Sequence, residues 1–540
     1  MKLMRSACLT ALALLAFTTG VAQTKATTAA TSAKITPKVS PVKDNDLKRW
    51  SHLDPAKDTL PGMSVDRAYS ELLKSKKGSK IIVGVIDSGI DIEHEDLKSA
   101  IWTNTKEIAG NNIDDDKNGY VDDIHGWNFL GNASNENLEM VRILKKGNES
   151  DPDFKAAKAA YEEQHAKAMQ GKQQVDFIFN AHNQVSEYLK KDKYTLEEVN
   201  SIEAKEQSLG QAKMIMMSVI GQIGPDFLSE INEFKDQVSE MLEYNLNMDF
   251  DGRKIVGDNP EDINNRNYGN NNVIGPDKKD ALHGTHVAGI IAQSRNNGIG
   301  GDGVANLAEI MAIRAVPNGD EYDKDIALAI RYAVDNGAKV INGSFGKSFS
   351  PHKDWVFDAI KYAASKDVLI VHAAGNDGHD IDLSQYTNFP NDSKDGITEI
   401  SDNMLTVGAL SPQYGPAVVA EFSNYGKRNV DVYAPGAKIY ATVPGNKYKY
   451  LEGTSMASPN AAGVAALVRS YYPQLSAKQV KQILMESGTP VTEEVVLGET
   501  QEKRPFTEAS KSGRMVNAYN ALIMAEKMSN NKLPKKQVKG

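Results

Sequence analysis

Cysteine is almost missing from this chain, which is 540 residues long and contains only Cys8. Cys8 lies in an N-terminal stretch that has the features of a removable export signal. The remaining chain would have no thiol, which excludes both disulfide bonds and a cysteine nucleophile. An exported protein without disulfides needs another stabilising element, and bound metal ions are the obvious alternative.

A long apolar run and an excess of basic residues are also absent. No segment approaches the roughly 18 uninterrupted apolar residues that a membrane-spanning helix requires, so no transmembrane segment is predicted. Lys and Arg number 62 against 71 Asp and Glu, which gives a net charge of −9. Because no basic stripe is present, nucleic acid is not predicted as a partner. The sequence does not predict an oligomeric state.

The first part of the chain divides into two stretches of different composition. Residues 1–23 begin with Lys2 and Arg5, continue as a short apolar core over 7–17, and end in small residues. This order is typical of a secretory signal peptide, so we expect export to the periplasm, the cell envelope or the medium. Residues 24–48 are rich in Thr, Ala, Lys and Pro, which predicts a disordered linker.

One serine stands where a reactive oxygen would be stabilised. Ser455 lies in the stretch Gly-Thr-Ser-Met-Ala-Ser-Pro at 453–459, and the small residues of 461–471 predict a helix directly after it. Free backbone N–H groups and the helix dipole favour negative charge at such a junction. Ser458 is the competing hydroxyl, but it would lie a turn into the helix beside Pro459, where pairing with a neighbouring element suits it better.

A serine nucleophile needs a base and an acid that orients the base. Asp87 ends the apolar run 80–86, as a buried parallel strand that delivers a carboxylate to the carboxyl edge of a sheet would do. His283 opens the apolar helix predicted over 283–292. Spacing alone does not choose between His283 and His286, but the first position of a helix projects towards the sheet edge and His286 towards the packing face.

A fourth polar residue, Asn376, follows another apolar strand, and its amide could donate a hydrogen bond to an oxyanion. The stretches around Asp87, His283, Asn376 and Ser455, in that chain order, resemble the subtilisin-like serine proteases, the subtilase family of S8 peptidases. The similar stretches together span about residues 78–129 and 275–475, including 340–346, 422–426 and 434–436.

The resemblance implies a three-layer α/β fold, with helices on both faces of a central, mostly parallel sheet. It also implies an exported serine endopeptidase that acts on proteins or peptides. Ser455 would be the nucleophile, His283 the general base, and Asp87 the group that holds the imidazole. Asn376 and the backbone N–H of Ser455 would stabilise the oxyanion. A non-catalytic binding or scaffold protein is the alternative, because a fold alone does not determine function.

The same resemblance assigns a substrate-binding surface, in which an extended substrate pairs with the backbone after one strand. Six small or apolar residues are expected to bind the substrate and to wall the pocket for the side chain before the scissile bond: Ser344, Phe345, Gly346, Ala373, Ala374 and Gly375. Such walls predict an apolar or large uncharged side chain in the pocket. Asn388 is expected near the pocket base.

Calcium is the predicted cofactor, in a structural role. The resemblance assigns Asp96 and Asn297 to a calcium site of the family. A second loop carries oxygen-bearing side chains at alternate positions, with Gly119 at the bend: Asp114, Asp116, Asn118 and Asp122. Hard oxygen ligands in a flexible loop suit Ca²⁺, but His125 stands at position twelve, so the loop is not an EF-hand. An Asx-rich turn without metal fits the same residues equally well.

Residues 131–246 separate the aspartate stretch from the histidine stretch and carry no catalytic motif. Apolar residues recur there at helical spacing, and Thr195 with Glu198 predicts a capping box. We therefore predict an inserted subdomain of three to five amphipathic helices, which either caps the cleft or assists folding. A stabilising appendage or a partner surface is the equal alternative. The remaining predicted bounds are 49–130 and 247–528 for the peptidase domain and 529–540 for a flexible tail.

Overall fold

A computed structural model describes residues 42–498 and 502–532. The predicted export signal at 1–23, most of the predicted linker and the end of the predicted tail lie outside these residues. The described residues belong to one compact unit. Among them, no helix combines the length and the apolar character that crossing a membrane would require.

Within the described residues, the centre of the protein is a nine-stranded sheet. The strands of the protein, in chain order, are β1 (Ile81–Asp87), β2 (Gly126–Asn128), β3 (Ala308–Arg314), β4 (Val340–Gly343), β5 (Leu369–Ala373), β6 (Met404–Leu410), β7 (Val432–Pro435), β8 (Ile439–Val443), β9 (Lys447–Leu451), β10 (Thr489–Pro490), β11 (Glu494–Val496), β12 (Lys503–Pro505) and β13 (Arg514–Met515). The order in the sheet is β10-β13-β7-β6-β5-β4-β1-β3-β2, and all neighbours are parallel except β10 and β13. Two antiparallel hairpins, β8–β9 and β11–β12, lie outside it.

Helices make up most of the remaining regular structure. The α-helices are α1 (Asp44–Arg49), α2 (Val65–Arg67), α3 (Glu139–Lys146), α4 (Phe154–Leu189), α5 (Leu196–Asn200), α6 (Gln207–Ile223), α7 (Phe227–Glu240), α8 (Arg253–Val256), α9 (Leu282–Ala292), α10 (Asp323–Asp335), α11 (Lys353–Ser365), α12 (Thr454–Tyr471), α13 (Ala477–Ser487) and α14 (Ala518–Lys532). Single π-helical turns follow α2 at Ala68–Leu73 and α7 at Met241–Asn245. Short 3₁₀ turns occur at Trp50–His52, Lys98–Ala100, Ser384–Tyr386, Gly415–Ala417 and Phe506–Glu508.

Alternate residues of the central strands face opposite layers of helices. Val83 and Val85 of β1 belong to the apolar core that contains α9 and α12. Ile86 belongs to the second core, which contains α10 and α11. Because side chains alternate along a strand and both faces of the sheet are covered, the strands have nearly continuous apolar sequences. The predicted three-layer α/β fold with a mostly parallel sheet is confirmed.

The strand order brings two loops together at the carboxyl edge of the sheet. β1 lies between β3 and β4, so the chain crosses over β1 on its way from β3 to β4. The strands from β4 to β7 then follow one another in one direction. Such a change of direction opens a crevice beyond the carboxyl ends of the strands, where open parallel sheets bind their ligands. Asp87 ends β1, and Ser344 directly follows β4.

The segment 131–246 contains the five helices from α3 to α7. The predicted capping box is confirmed, because the Thr195 side chain accepts from the N–H of Glu198 and the Glu198 side chain accepts from the N–H of Thr195. The helices α4 to α7 share an apolar core of their own, to which Val185 and Met216 belong. The interpretation of this segment as an inserted subdomain stays a prediction.

The structure corrects the predicted end of the linker. Residues 44–48 were assigned to a disordered linker, but they form most of α1. The helix is anchored because Arg49 pairs with Asp66 at 2.8 Å and with Asp302 at 2.5 Å. Trp50, which follows, is buried and donates from its indole nitrogen to the carbonyl oxygen of residue 437. Contacts with distant segments therefore override the polar local composition.

The predicted start of the tail is corrected as well. Residues 529–532 were assigned to a flexible tail, but they continue α14. Ser529 is buried, and Leu522 and Ala525 on the same helix belong to the main apolar core. Packing against that core extends the helix beyond the point where its apolar residues become sparse in the sequence.

Candidate active site

Asp87 presents a buried carboxylate at the end of β1. Its Oδ1 accepts from the N–H of Ser88 at 2.8 Å and lies 2.7 Å from Nδ1 of His283. Its Oδ2 is buried and has no hydrogen-bond partner among the described residues. Gly284 permits this close approach, because a Cβ there would lie 3.0 Å from Cβ of Asp87 and 2.2 Å from the carbonyl oxygen of Gly89.

His283 is the second residue of α9, and its side chain is 37% exposed. Because the Asp87 oxygen accepts, Nδ1 carries the proton and Nε2 retains a lone pair. Burial lowers the pKa of His283, but the charge of Asp87 and the hydrogen bond to it outweigh burial and raise the pKa above its usual value. The site therefore favours a positively charged imidazolium more than water does.

Ser455 is the second residue of α12 and is joined to the loop after β4. Its hydroxyl donates to the carbonyl oxygen of Ser344 at 3.1 Å, and the Ser344 hydroxyl donates to the carbonyl oxygen of Ser455 at 2.9 Å. Within residues 42–498 and 502–532, no hydrogen bond joins Ser455 to His283. The structure thus brings Asp87 and His283 into contact and leaves the Ser455 hydroxyl on a different acceptor.

Asn376 is exposed, and its amide has a defined orientation. Its Oδ1 accepts from the backbone N–H of Thr454 at 2.8 Å and from the Thr454 hydroxyl at 3.0 Å. A backbone N–H can only donate, so the amide oxygen faces Thr454 and Nδ2 points away from it. A Cβ on Gly453 would lie 3.4 Å from Nδ2 and 3.6 Å from the backbone nitrogen of Ser455. The two nitrogen donors therefore flank one small space beside a glycine.

Thr454 is part of the candidate site, and the sequence interpretation missed it. It is fully buried, and besides its two bonds to Asn376 its hydroxyl accepts from the N–H of Gly375 at 3.0 Å. It therefore joins the start of α12 to the loop after β5 and fixes the Asn376 amide. The available signal was its place directly before Ser455, where a hydroxyl at the start of a helix commonly bonds a neighbouring group.

The competing serine and histidine are both fully buried. The hydroxyl of Ser458 donates to Oδ1 of Asn342 at 2.8 Å. Nε2 of His286 lies 3.1 Å from the carbonyl oxygens of Ile439 and Lys449, and burial lowers the pKa of His286 to about 4. Both side chains join neighbouring elements, and a substrate could reach neither without disrupting the packing.

Three of the predicted substrate residues follow β4 and differ in exposure. Ser344 is buried by its pairing with Ser455. The carbonyl oxygen of Phe345 accepts from Nε2 of His372 at 2.8 Å. Gly346 is exposed, and its N–H and carbonyl oxygen have no hydrogen-bond partner in the part of the chain that the structure describes. The segment 344–346 therefore offers free backbone groups for pairing with an extended peptide.

The other three predicted substrate residues end or follow β5. Ala373 and Ala374 are buried, whereas Gly375 is half-buried and has a positive φ of 100°. Nδ2 of Asn388 donates to the carbonyl oxygen of Ala373 at 3.1 Å, and its Oδ1 would lie 2.5 Å from a Cβ on Gly346. Asn388 therefore lies between the two substrate segments.

The predicted metal ligands Asp96 and Asn297 are in contact, but the amide presents its nitrogen. Nδ2 of Asn297 donates to Oδ1 of Asp96 at 2.5 Å, and the Asn297 oxygen accepts from the N–H of Ile299. Tyr448 donates to the second Asp96 oxygen at 3.4 Å. Burial raises the pKa of Asp96. The two side chains satisfy each other here and do not present two oxygens to one point.

The predicted calcium loop brings together a different set of acids. Carboxylate oxygens of Glu107, Asp114 and Asp116 lie within 4.8 Å of one another. Asp122 accepts from the backbone N–H groups of residues 110 and 112, and the Oδ1 of Asn118 accepts from the N–H of residue 120. Glu107 was missed, because its position seven residues before Asp114 follows no ligand-spacing pattern. Three converging carboxylates fit a hard divalent cation.

Replacing Asp87 by asparagine is expected to lower the pKa of His283. The change removes the charge that raises this pKa and keeps the burial that lowers it. NMR titration of the imidazole C–H signal measures the shift, and the spectrum of His283→Gln identifies the signal. Glu93→Gln, which removes an exposed charge from the following loop, is the control. An unchanged or higher pKa in Asp87→Asn would show that Asp87 does not stabilise the imidazolium.

Comparison with known sequences identifies relatives of the chain. A thermophilic serine proteinase of Bacillus sp. strain AK1 is 42% identical over 230 residues, covering 41% of this chain and 48% of that protein. The cell wall-associated protease of Bacillus subtilis strain 168 is 37% identical over 234 residues, covering 43% and 24%. Subtilisin Savinase of Lederbergia lenta is 37% identical over 209 residues, covering 38% and 70%.

The chain spans about half the length of the first of these relatives and about a quarter of the second. A sequence model described as the subtilase family matches residues 78–506. The match includes Asp87, His283, Asn376 and Ser455, and it extends over more than half of the chain. The chain therefore belongs to the subtilase family.

Proposed function

We propose that the protein is a serine endopeptidase, which hydrolyses peptide bonds of proteins through an acyl-enzyme on Ser455. The observation that carries the proposal is the 2.7 Å contact between Asp87 and His283. It lies at the sheet edge to which Ser455 is joined through Ser344. Membership of the subtilase family supports the same activity.

In this proposal His283 is the general base. Nε2 takes the hydroxyl proton of Ser455 while Asp87 accepts from Nδ1 and stabilises the imidazolium. Oγ then bonds to the carbonyl carbon of the substrate. The proton passes from Nε2 to the leaving amine, the C–N bond breaks, and an ester remains on Ser455. Water, deprotonated by the same nitrogen, hydrolyses the ester and restores the free hydroxyl.

The first step requires the Ser455 hydroxyl to exchange acceptors. It donates to the carbonyl oxygen of Ser344 in this structure, and rotation about its Cα–Cβ bond would release it. Such rotations take picoseconds to nanoseconds at accessible side chains and are far faster than turnover. Catalytic hydrogen bonds are often poorly aligned until substrate is bound, so the alternative acceptor is compatible with the proposed role.

The developing oxyanion would be held by two donors. Nδ2 of Asn376 is free because the amide oxygen is engaged by Thr454. The N–H of Ser455 lies in the first turn of α12, where a helix provides no acceptor. Both donors border the space beside Gly453. Since they are fixed before the reaction, they stabilise the charge without reorganisation.

The substrate would bind as an extended strand along 344–346. Gly346 supplies the free N–H and carbonyl groups for backbone pairing. Ala373, Ala374 and Gly375 form one wall of the pocket, and Asn388 lies between this wall and Gly346. Small, uncharged walls favour an apolar or large uncharged side chain before the scissile bond.

Export and a structural calcium ion complete the proposal. Residues 1–23 would direct the protein out of the cytoplasm, and the relatives include a protease whose name associates it with the cell wall. Glu107, Asp114 and Asp116 would hold the ion through their carboxylates. A divalent cation there would neutralise three like charges and stabilise the loop after β1.

A fluorophosphonate probe tests the nucleophile. Wild-type protein is expected to be labelled once and Ser455→Ala not at all, because the alanine has no oxygen to bond to phosphorus. Ser458→Ala is the matched control and should be labelled like the wild type. Mass spectrometry of tryptic peptides reads out the modified residue. A well-folded wild type without labelling would favour the non-catalytic binding or scaffold protein instead.

Replacing Asn376 by alanine tests the oxyanion donor. Loss of one such donor lowers kcat by roughly 10² to 10³, so that loss is expected here with KM nearly unchanged. Steady-state hydrolysis of a fluorogenic peptide measures both constants. Asp377→Ala, which truncates an exposed side chain in the same loop, serves as the control. An Asn376→Ala enzyme with wild-type kcat would exclude the role.

Removal of calcium tests the acidic loop. A ligand at a hundredfold excess over its Kd stabilises the folded state by about 2.7 kcal/mol, so a chelator is expected to lower Tm. Asp114→Asn should lose most of this calcium dependence, and Asp354→Asn, which changes an exposed acid, should keep it. Differential scanning calorimetry with and without chelator measures the effect. An equal chelator effect in Asp114→Asn would assign the ion to other residues.

A further inference from the structure

Lys347 connects the proposed substrate segment to the helical segment of the chain. It directly follows 344–346, and its side chain is only 2% exposed. Its ammonium lies 2.7 Å from Oε2 of Glu139 and 2.9 Å from Oδ1 of Asp323. It also donates to the carbonyl oxygen of Glu321 at 2.8 Å. All three hydrogens of the ammonium group therefore have acceptors.

Glu139 is the first residue of α3 and is itself firmly held. Its carboxylate accepts from Arg142 at 2.5 and 3.3 Å, and its N–H donates to Oδ2 of Asp320 at 2.7 Å. Arg142 donates to the carbonyl oxygens of Asp320 and Glu321 at 2.8 and 3.1 Å. Its guanidinium lies over the ring of Tyr322, 4.0 Å from the centroid. The start of α3 is therefore fixed to the loop before α10.

Glu139 and Lys347 keep their charges despite their burial. Burial would raise the pKa of Glu139, but Arg142 and Lys347 lower it to about 2. Burial would lower the pKa of Lys347, but Glu139 and Asp323 raise it above its usual value. Because a buried ion is costly without its partner, Glu139 and Lys347 hold each other in place.

The substrate segment 344–346 is anchored at Ser344 and at Lys347, the residue that directly follows it. Ser344 is held at one end by the reciprocal bonds with Ser455. Lys347 is held at the other end by its side chain and by backbone bonds to Phe389 at 3.0 and 2.9 Å. Gly346, adjacent to Lys347, carries the unpaired backbone groups. Any displacement of Lys347 would therefore move the groups that would pair with a peptide.

We propose that Glu139, at the start of the helical segment 131–246, positions the substrate segment through Lys347. On this view α3 contributes to peptide binding without touching the peptide, and Lys347 and Glu139 are positioning residues. The proposal rests on the proposed function, because 344–346 binds a substrate only if the protein is a peptidase. It assigns the helical segment an indirect role in substrate recognition, exerted through Lys347.

A second ion pair, between Arg469 of α12 and the partly exposed Asp367, offers a comparison. Arg469 pairs with Asp367 at 2.5 Å and donates to the carbonyl oxygen of Lys339 at 3.2 Å. Lys339 precedes β4, so this pair lies at the amino end of the strand whose carboxyl end leads to 344–346. Arg469→Met would remove a buried cation from the last turn of α12, beside the amino end of β4 and at the sheet edge opposite the proposed site.

Lys347→Met tests the proposal and leaves each carboxylate with at least one other partner. Methionine keeps the length of the side chain, Glu139 retains Arg142 as its partner, and Asp323 retains the Ser350 hydroxyl at 2.7 Å. Glu139→Gln is a milder second variant, because its amide oxygen still accepts a hydrogen bond from Lys347. Thermal unfolding of each variant verifies that it folds.

Two measurements distinguish a misplaced substrate segment from damage to the whole active site. KM for an internally quenched octapeptide is expected to rise about tenfold in Lys347→Met, because a small misplacement of binding groups weakens strand pairing. Glu139→Gln should give a smaller rise. The rate of fluorophosphonate labelling should stay within about twofold of wild type in both variants, since the probe is too small to pair along 344–346. Arg469→Met should leave KM unchanged.

Each contrary result is distinguishable. An unchanged KM in folded Lys347→Met would overturn the proposal while leaving the peptidase function intact. Equal losses in labelling and in peptide hydrolysis would also overturn it, because the variant would then have damaged the whole site. If KM rose by the same factor in Arg469→Met, the increase in Lys347→Met would reflect lost stability and would not support a positioning role. Unlabelled, folded wild type would overturn the proposed function and this inference with it.

Discussion

The contact between Asp87 and His283 is the constraint on which the candidate site depends. It requires the end of β1 and the start of α9 to meet, although the five helices of 131–246 intervene in the chain. The meeting is possible because Gly284 has no Cβ to collide with the loop after β1. The contact also sets the chemistry, since a proton held on Nδ1 leaves Nε2 free to accept another.

The central sheet positions the remaining residues of the candidate site. Helices cover both of its faces, so the loops at its carboxyl edge start from closely packed strands. The neighbouring positions of β1 and β4 bring Ser344 to the edge, and Ser344 in turn holds Ser455. Lys347 adds an anchor from outside the sheet, because its partner Glu139 belongs to α3. Because both anchors hold the backbone around Gly346, its unpaired N–H and carbonyl groups suit strand pairing.

Local patterns were sufficient where a residue stands at the end of a strand or the start of a helix. Asp87 at the end of β1 and His283 in the first turn of α9 were both predicted, because their apolar neighbours define those elements. Contacts between distant segments, by contrast, produce no recognisable pattern in the amino-acid sequence. Glu107 joins the acidic cluster from outside the regular spacing, and Lys347 meets Glu139 across 208 positions. The linker end and the tail start were misplaced for the same reason, because tertiary packing makes residues 44–48 and 529–532 helical.

The pH dependence of fluorophosphonate labelling at Ser455 tests the central claim most directly. Only neutral imidazole can take the serine proton, so the rate should fall as the pH drops through the pKa of His283, which lies above its usual value of 6.5. The midpoint should coincide with the pKa of His283 measured by NMR and move down with it in Asp87→Asn. A rate that does not change with pH, or a midpoint that does not follow His283, would contradict the account.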